Sequence, residues 1–308
     1  MPYSPVAMFV YNRLDNTRKT LEHLAANTLA NMTDVFVFSD GGKNEESWIK
    51  VNQVREYVKQ FIKSNSNVFR SITLIERPEN FYLERNIIEG ISQVFEDHDT
   101  IIVLEDDIVT SPYYLQYMNQ AFETYCDEPQ VMHVSGFSRL DLPYNGTYFT
   151  LQPAGWGWGT WKDRWEKHFV HFSSREEALQ GLTRQDIDEI QYAGVFPCLK
   201  SLDKNPIPWD ICWEIAIHKA KALCLNPTHT LIRNIGLNQG THYKWSSKLL
   251  QTFEYDRKPL DAPIEIIKNI PQKDPHIETL MKEALTDWGI RYTILGKIIR
   301  FVYKRLKK

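Results

Sequence analysis

Three acids stand side by side in the segment TIIVLEDDIVTSP, Thr100 to Pro112. Glu105, Asp106 and Asp107 follow directly on the apolar run Ile101–Leu104. A buried strand that ends in three like charges carries a local repulsion, which cations or hydrogen-bond donors must offset. A hard divalent ion, Mg²⁺ or Mn²⁺, takes oxygen ligands and shares them with substrate phosphates. Read alone, the triplet suits equally a solvated turn, or the cap of a helix starting near Pro112. Other residues with chemical potential are scattered along the chain. Arg13 closes the first apolar run (VYNR), Asp40 closes the second (FVFSDG), and Arg85 and Asn86 lie in ERNIIEGI. The stretch GWGWGTW brings Trp156 and Trp158, whose flat apolar faces suit a sugar ring. Its glycines 155, 157 and 159 would let the backbone bend towards a ligand. In IPWDICWE, Pro206 and Pro208 pin the entry to a helix that begins with Trp209 and Asp210. An Asp there is also a good helix cap or dipole partner. NQGTHY adds Thr241 and His242.

These residues can cooperate only if the fold gathers them. The first hundred residues alternate strand and helix patterns. Strands are predicted over Val6–Tyr11, Val35–Ser39, Ile72–Ile75 and Ile101–Leu104. Helices are predicted from an Asn16 cap to about Ala26, over Glu45–Ser64 and over Leu83–Phe95. This order predicts a mostly parallel sheet with helices on both faces. Ligands of such sheets bind beyond the carboxyl ends of the strands. Arg13, Asp40 and the triplet all lie just past strand ends and can face one crevice. Further on, a helix is predicted from Pro112 to Cys126, strands over Val131–Gly136 and Tyr148–Leu151, and helices near Thr183–Ala193 and Trp209–Leu223. HTLIRNIG reads as a strand. No Ser/Gly linker and no internal repeat divides the chain, so one continuous domain is expected over residues 1–245. Residues 246–308 form an extension that ends in a helix.

Composition narrows the class. Hydrophobic residues at 43% and charged residues at 24% are ordinary for a globular chain of 308 residues. The net charge of −3 is unevenly spread, because Gly289–Lys308 holds seven Lys or Arg and no acid. A basic end on an acidic body points to a local anionic partner and away from a nucleic-acid-binding body. Apolar Ile290, Ile294, Leu295, Ile298, Ile299, Phe301 and Val302 share that end with the basic residues. They predict an amphipathic helix that docks on anionic lipid. The alternative is a helix packed on the protein's own body. The first residues, MPYSPVAMFVYNR, carry neither a charged leader nor a long apolar run, so no signal peptide or membrane span is expected. Cys126, Cys198, Cys212 and Cys224 show no C-x-x-C spacing and are expected to be reduced thiols in a cytoplasm. The sequons at Asn31 and Asn145 then read as chance matches.

VLEDDIVTSPYYLQYM resembles the metal-binding segment of GT-A-fold glycosyltransferases. It is similar to the E-D-D form in the Golgi N-acetylglucosaminyltransferase that starts complex N-glycans, where most of the family carry D-x-D. The resemblance runs by short motifs, in the same order, from about residue 5 to residue 242. It implies an α/β GT-A fold: a Rossmann-like, mostly parallel central sheet flanked by helices, here with a C-terminal helical extension. Residues 1–110 would be the nucleotide-binding half and 111–245 the acceptor half. Asp107 would contact the metal, and Glu105 and Asp106 would bind the ribose and donor sugar. Arg13 would meet the diphosphate, Asp40 would read the uracil ring, and Arg85 and Asn86 would face the nucleotide. The family enzyme has His at the position of Asn86. Trp156, Trp158 and Trp209 would lie at the sugar and acceptor, Thr241 and His242 near the diphosphate, and Asp210 would be the general base.

The expectation is therefore a metal-dependent, inverting transferase with a nucleotide-sugar donor, a UDP-sugar. Its acceptor would be a saccharide or lipid-linked glycan in bacterial surface polysaccharide or lipopolysaccharide assembly. The enzyme would be cytoplasmic and peripheral on the inner membrane face. Two rivals remain. A nucleotidylyltransferase needs a Gly-rich basic loop after the first strand, and YNRLDNTRK has no glycine. A non-catalytic, tryptophan-rich carbohydrate-binding protein would bind glycan without metal.

Overall fold

Strand β1 (Val6–Val10) is buried along its whole length. Val6, Met8 and Val10 enter one apolar cluster, Ala7 and Phe9 another. A strand delivers alternate side chains to opposite faces, so one that is apolar throughout must be covered on both. The structure, a computed structural model, describes residues 3–236 and 257–290. After β1 come α1 (Leu14–Ala25), β2 (Asp34–Ser39), α2 (Glu45–Ser64), β3 (Ser71–Glu76), α3 (Tyr82–Val94), β4 (Thr100–Glu105) and β5 (Ile108–Thr110). The chain continues through α4 (Tyr114–Thr124), β6 (Val131–Ser135), β7 (Thr147–Thr150), β8 (Trp158–Trp161), α5 (Lys162–His168), α6 (Arg175–Leu179) and α7 (Arg184–Ile190). It then forms α8 (Trp209–Lys219), β9 (Leu223–Pro227), β10 (Ile232–Asn234) and α9 (Pro275–Ile290).

Eight strands form one sheet in the order β3-β2-β1-β4-β8-β6-β9-β7, and β10 pairs with β5 in a second, two-stranded sheet. The half from β3 to β4 is parallel throughout. Past β4 the sheet is mixed: β8 runs antiparallel to both β4 and β6, and only β6 with β9 is a parallel pair. Helices α1, α2 and α4 cover one face through Leu21, Val54 and Met118. Helices α3, α5 and α8 cover the other through Ile91, Trp165 and Trp213.

Several expectations are corrected. Helix α1 starts at Leu14 behind Arg13, with no side-chain cap, and Asn16 is buried in its first turn. The helix expected to run to Leu223 stops at Lys219. Lys221 takes a left-handed φ of 52°, and Leu223 opens β9. The Gly- and Trp-rich stretch is strand β8, not simply a turn. Gly157 alone of its three glycines has a positive φ, 58°. Gly159 serves packing: a Cβ there would collide with the Ile101 carbonyl oxygen and lie 2.6 Å from the Phe122 ring.

Residues 257–274 run along the body as a strap. Ser111 Oγ donates to the Leu260 carbonyl at 2.6 Å, and Asn145 exchanges hydrogen bonds with the backbone of Pro263 and Glu265, each 3.0 Å. Helix α9 then seats Ile277, Met281 and Leu285 against Leu140, Leu142, Tyr148 and Tyr192. The basic tail helix expected over 289–308 lies, from residue 291, outside the described residues, as do Thr241 and His242. No helix among the described residues is long and apolar enough to cross a membrane.

Replacing Gly159 by Ala should force the β4–β8 pair apart locally. The expected loss is about 1–3 kcal/mol, the usual range for overpacking a close-packed interior, read as a lower denaturation midpoint with unchanged m-value.

Candidate active site

The acid triplet sits where the topology says a ligand should. Glu105 is the last residue of β4 and pairs in register with Phe9 of the neighbouring β1. The loop after β1 therefore stands beside the triplet and delivers Arg13 to it. Arg13 Nε donates to Asp106 Oδ2 at 3.2 Å, Nη2 donates to Asp106 Oδ1, and Nη1 lies 2.9 Å from Asp107 Oδ2. Thr20 Oγ1, from α1, holds the Asp106 carbonyl at 2.9 Å.

One guanidinium does not balance three carboxylates. Burial, then repulsion from Asp107 and Asp106, pushes Glu105 up to about 8 against the pull of Arg13. Burial pushes Asp106 up to about 6, with Arg13 opposing and Asp107 adding. For Arg13, burial works to lower the pKa, but the charges of Asp106 and Asp107 outweigh it and raise the value. Asp107 is walled from behind. Its carbonyl accepts from the Ile235 N–H at 2.8 Å, and a Cβ on Gly236 would collide with its Oδ2. Gly236 was not singled out in the sequence, where only its place after a strand-like run marks it.

Asp40, just past β2, ties two loops together. Its carboxylate accepts from the N–H of Gly41 (2.9 Å) and Phe81 (2.7 Å) and from Asn80 Nδ2 (3.0 Å). Burial raises its pKa, and the Phe81 and Gly41 N–H groups work against that. Arg55 closes the same corner by donating to the carbonyls of Ser39 (3.2 Å) and Arg77 (2.8 Å). Arg77 lies between the rings of Phe38 and Phe81, at 5.2 and 4.9 Å. Its Nε donates to Asn86 Oδ1 at 3.0 Å, so Asn86 is buried and turned towards Arg77. Arg85 is half-exposed. It pairs with Glu89 at 2.7 Å and Glu79 at 3.4 Å, and covers Phe81 at 3.7 Å. Asn80, Phe81 and Arg77 build this corner unannounced by the sequence, apart from a Pro-containing turn at the end of β3. Tyr82 follows with φ 59°, a costly value for a bulky residue, and 58% exposed.

On the other side of the triplet, the three tryptophans part company. Trp158 is fully buried, its ring stacked on His133 at 5.2 Å and on Trp209 at 5.2 Å. Neither face is open to a sugar, because β8 runs through the middle of the sheet. Trp209 is 5% exposed, and Trp156 is half-buried with its ring edge-on to Phe137 at 5.1 Å. His133 is neutral there. Burial holds it down to about 3, and its Nδ1 accepts from Trp213 Nε1 at 3.2 Å.

Asp210 opens α8. Its carboxylate is exposed and accepts from the Ile211 N–H at 2.9 Å, with Pro208 as the helix cap residue. Desolvation by the surrounding protein raises its pKa; the Ile211 N–H and Lys204 oppose this, and Glu84 of α3 adds to it. Its charge also works to raise Glu105, behind burial, Asp107, Asp106 and Arg13. Glu214, one turn along α8, is 7% exposed and pushed up to about 8 by burial and by Asp210. The Cys198 thiol donates to it at 3.7 Å. Among the described residues no three side chains of His, Cys, Asp or Glu converge on one ion position, and Arg13 holds the two aspartates.

Glu214 generates a stability prediction. A carboxyl whose folded pKa lies near 8 favours the folded state below its unfolded value, and that contribution is lost as pH rises through 8. Between pH 5 and 8.5, Glu214→Gln should therefore lose less stability than the parent chain. The difference should be on the order of a few kcal/mol at most, measured by denaturant unfolding across pH.

Comparison with known proteins supplies the family. The model of Glycosyl transferase family 2 matches residues 6–174, more than half of the chain. No curated protein matches. Among solved structures, similarity is found to the mannosyltransferase PcManGT from Pyrobaculum calidifontis in complex with GDP-Man and Mn²⁺. The TM-score is 0.42 at 13% identity, over 71% of this chain and 70% of that one. Similarity extends to UDP-glucose pyrophosphorylase complexed with UDP-glucose (TM-score 0.38, 11% identity, 73% and 90% covered). It extends also to residues 1–349 of S. aureus TarS (TM-score 0.37, 10% identity, 63% and 54% covered). The matched region runs from β1 through the acid triplet and β8 into α5, and on that match the chain belongs to glycosyl transferase family 2, an enzyme of the glycosyltransferase class on a GT-A-type α/β fold.

Proposed function

We propose that this glycosyltransferase moves a sugar from a UDP-sugar to a saccharide or lipid-linked glycan by a metal-dependent, inverting displacement. The observation that carries the reading is the acid triplet at the end of β4, met by Arg13 from the loop after its parallel neighbour β1. The charge of the triplet suits a hard divalent ion, because three consecutive carboxylates exceed the charge of the one guanidinium among them. Asp107 would hold that ion, and Glu105 and Asp106 the ribose and donor sugar. When bound, the ion neutralises charge on the leaving diphosphate. Arg13 adds donors to the same oxygens, with Thr241 and His242 assigned beside it. Asp40, with Arg85 and Asn86 behind it, serves the nucleotide end.

Asp210 takes the proton of the acceptor hydroxyl as that oxygen attacks the anomeric carbon and the bond to the diphosphate breaks. Its raised pKa brings it nearer the pH at which a base is most effective. Trp156 offers the acceptor an apolar edge, whereas Trp158 and Trp209 support the floor beneath. The same reading keeps residues 1–245 as the transferase unit, split near 110, and 246–308 as its extension. It places the enzyme in the cytoplasm, in bacterial surface-polysaccharide assembly.

Two substitutions separate the roles. Asp107→Asn should weaken Mn²⁺-dependent UDP affinity and activity together. Asp210→Asn should leave UDP binding intact while kcat falls on the order of 10²- to 10⁴-fold, the range for a lost general base. Because Asp210 works only when ionised, the parent kcat should fall on the acid side of its raised pKa, and Asp210→Asn should erase that limb. Normal turnover in Asp210→Asn would make it a helix-terminus residue and sink the mechanism.

The basic tail is proposed to hold the enzyme at an anionic membrane surface beside lipid-linked acceptors. In flotation with anionic liposomes, the full chain should bind and a chain ending at Trp288 should not. Equal behaviour of the two would remove the tail from the proposal.

A further inference from the structure

Arg13 uses all three guanidinium nitrogens on Asp106 and Asp107: Nε and Nη2 on the first, Nη1 at 2.9 Å on the second. These are the carboxylates that the proposed function gives to the donor and to the ion, and the present inference rests on that reading. A guanidinium and a divalent cation compete for the negative charge of the Asp107 carboxylate, whose Oδ2 the guanidinium already holds. The carboxylate has little freedom to serve both. Gly236 lies against Oδ2 on one side, so closely that a Cβ would collide, and Arg13 closes the other.

Arg13 is also held so that only its side chain can move. Its carbonyl accepts from the Thr17 N–H at 2.9 Å and from Thr17 Oγ1 at 3.0 Å, fixing the backbone at the start of α1. The side chain keeps a quarter of its surface open to solvent, so a path out of the carboxylates exists. A guanidinium leaving two carboxylates needs another planar or tetrahedral anion for its fork of donors, and a diphosphate meets that need.

We infer that Arg13 is an exchangeable counter-ion, which makes metal and nucleoside-diphosphate binding mutually dependent. A divalent ion on its own must displace Arg13 Nη1 from Asp107 and leave that N–H without an anion, while Nε and Nη2 stay on Asp106. A nucleoside diphosphate supplies that anion, so the two ligands together release Asp107 at no loss to Arg13. Arg13 is a positioning residue in this role, and its effect lies in the coupling between two ligands.

The test is Mn²⁺ titration of the full chain, followed by electron paramagnetic resonance of free Mn²⁺, with and without UDP. In the parent chain UDP should tighten Mn²⁺ binding about tenfold or more, and by linkage Mn²⁺ should tighten UDP by the same factor. Arg13→Met should bind Mn²⁺ without UDP about tenfold tighter than the parent, and the gain from UDP should shrink to what the diphosphate's own ligation of the ion supplies. Its thermal midpoint should rise on adding Mn²⁺ alone, since the ion relieves three unbalanced carboxylates. Arg13→Lys keeps the charge but lacks the planar fork that engages Asp106 through two nitrogens and Asp107 through the third. It should fall between the two, and it serves if Arg13→Met does not fold. If neither variant binds Mn²⁺ alone more tightly than the parent, while UDP still tightens the ion in all three, the counter-ion role is wrong and the transferase reading stands. If no chain binds Mn²⁺ even with UDP, the metal-dependent reading fails and takes this inference with it.

Discussion

The charge imbalance at the end of β4 is the constraint on which the rest of the site depends. An apolar strand, buried on both faces, ends in Glu105, Asp106 and Asp107, and the fold brings one guanidinium to meet them. That pairing is possible because β1 and β4 are parallel neighbours, so the loop after one is delivered beside the loop after the other. The start of α1 is then set by the position Arg13 must hold, not by the cap that Asn16 could have supplied. The excess negative charge left over is what suits the crevice to a cation and to the hydroxyls of a sugar nucleotide.

A second constraint acts from the opposite side of the sheet. Strand β8 runs antiparallel between β4 and β6 and carries Trp158 into a stack between His133 and Trp209. This packing fixes the first turn of α8, and with it Asp210, relative to β4. The tryptophans thus work chiefly as a rigid floor. Because flat aromatic side chains bury large areas with few rotamers, they hold a helix terminus more firmly than a loop could.

The nucleotide end is organised differently, by hydrogen bonds instead of ring packing. Asp40 collects two backbone N–H groups and the Asn80 amide, and Arg55 collects the carbonyls around it. The loops after β2 and β3 are so closely joined that a side chain on Gly41 would collide with the Glu79 backbone. Arg77, between two phenylalanine rings and bound to Asn86, completes this corner.

Much of this was legible in the linear chain, for a definite reason. The strands β1 to β4 and the helix α2 announce themselves because periods of 2.0 and 3.6 follow from backbone geometry alone. The acid triplet is visible because like charges in a row need an explanation wherever they stand. Strands β5, β8 and β9 escaped notice: two are very short or Gly- and Trp-rich, and β9 follows α8 after only three residues with no Gly or Pro to mark the turn. What only the tertiary structure decided is which side chains share a partner. Residue types determined that Asp106 and Asp107 would need a cation. That Arg13 supplies it, that Trp158 has no free face, and that Asn86 turns to Arg77 depend on contacts across 93, 51 and 9 residues of sequence. Such contacts are set by strand order and by packing density. Neither has a local signature, because a side chain's own neighbours in sequence do not encode the distant surface it will meet.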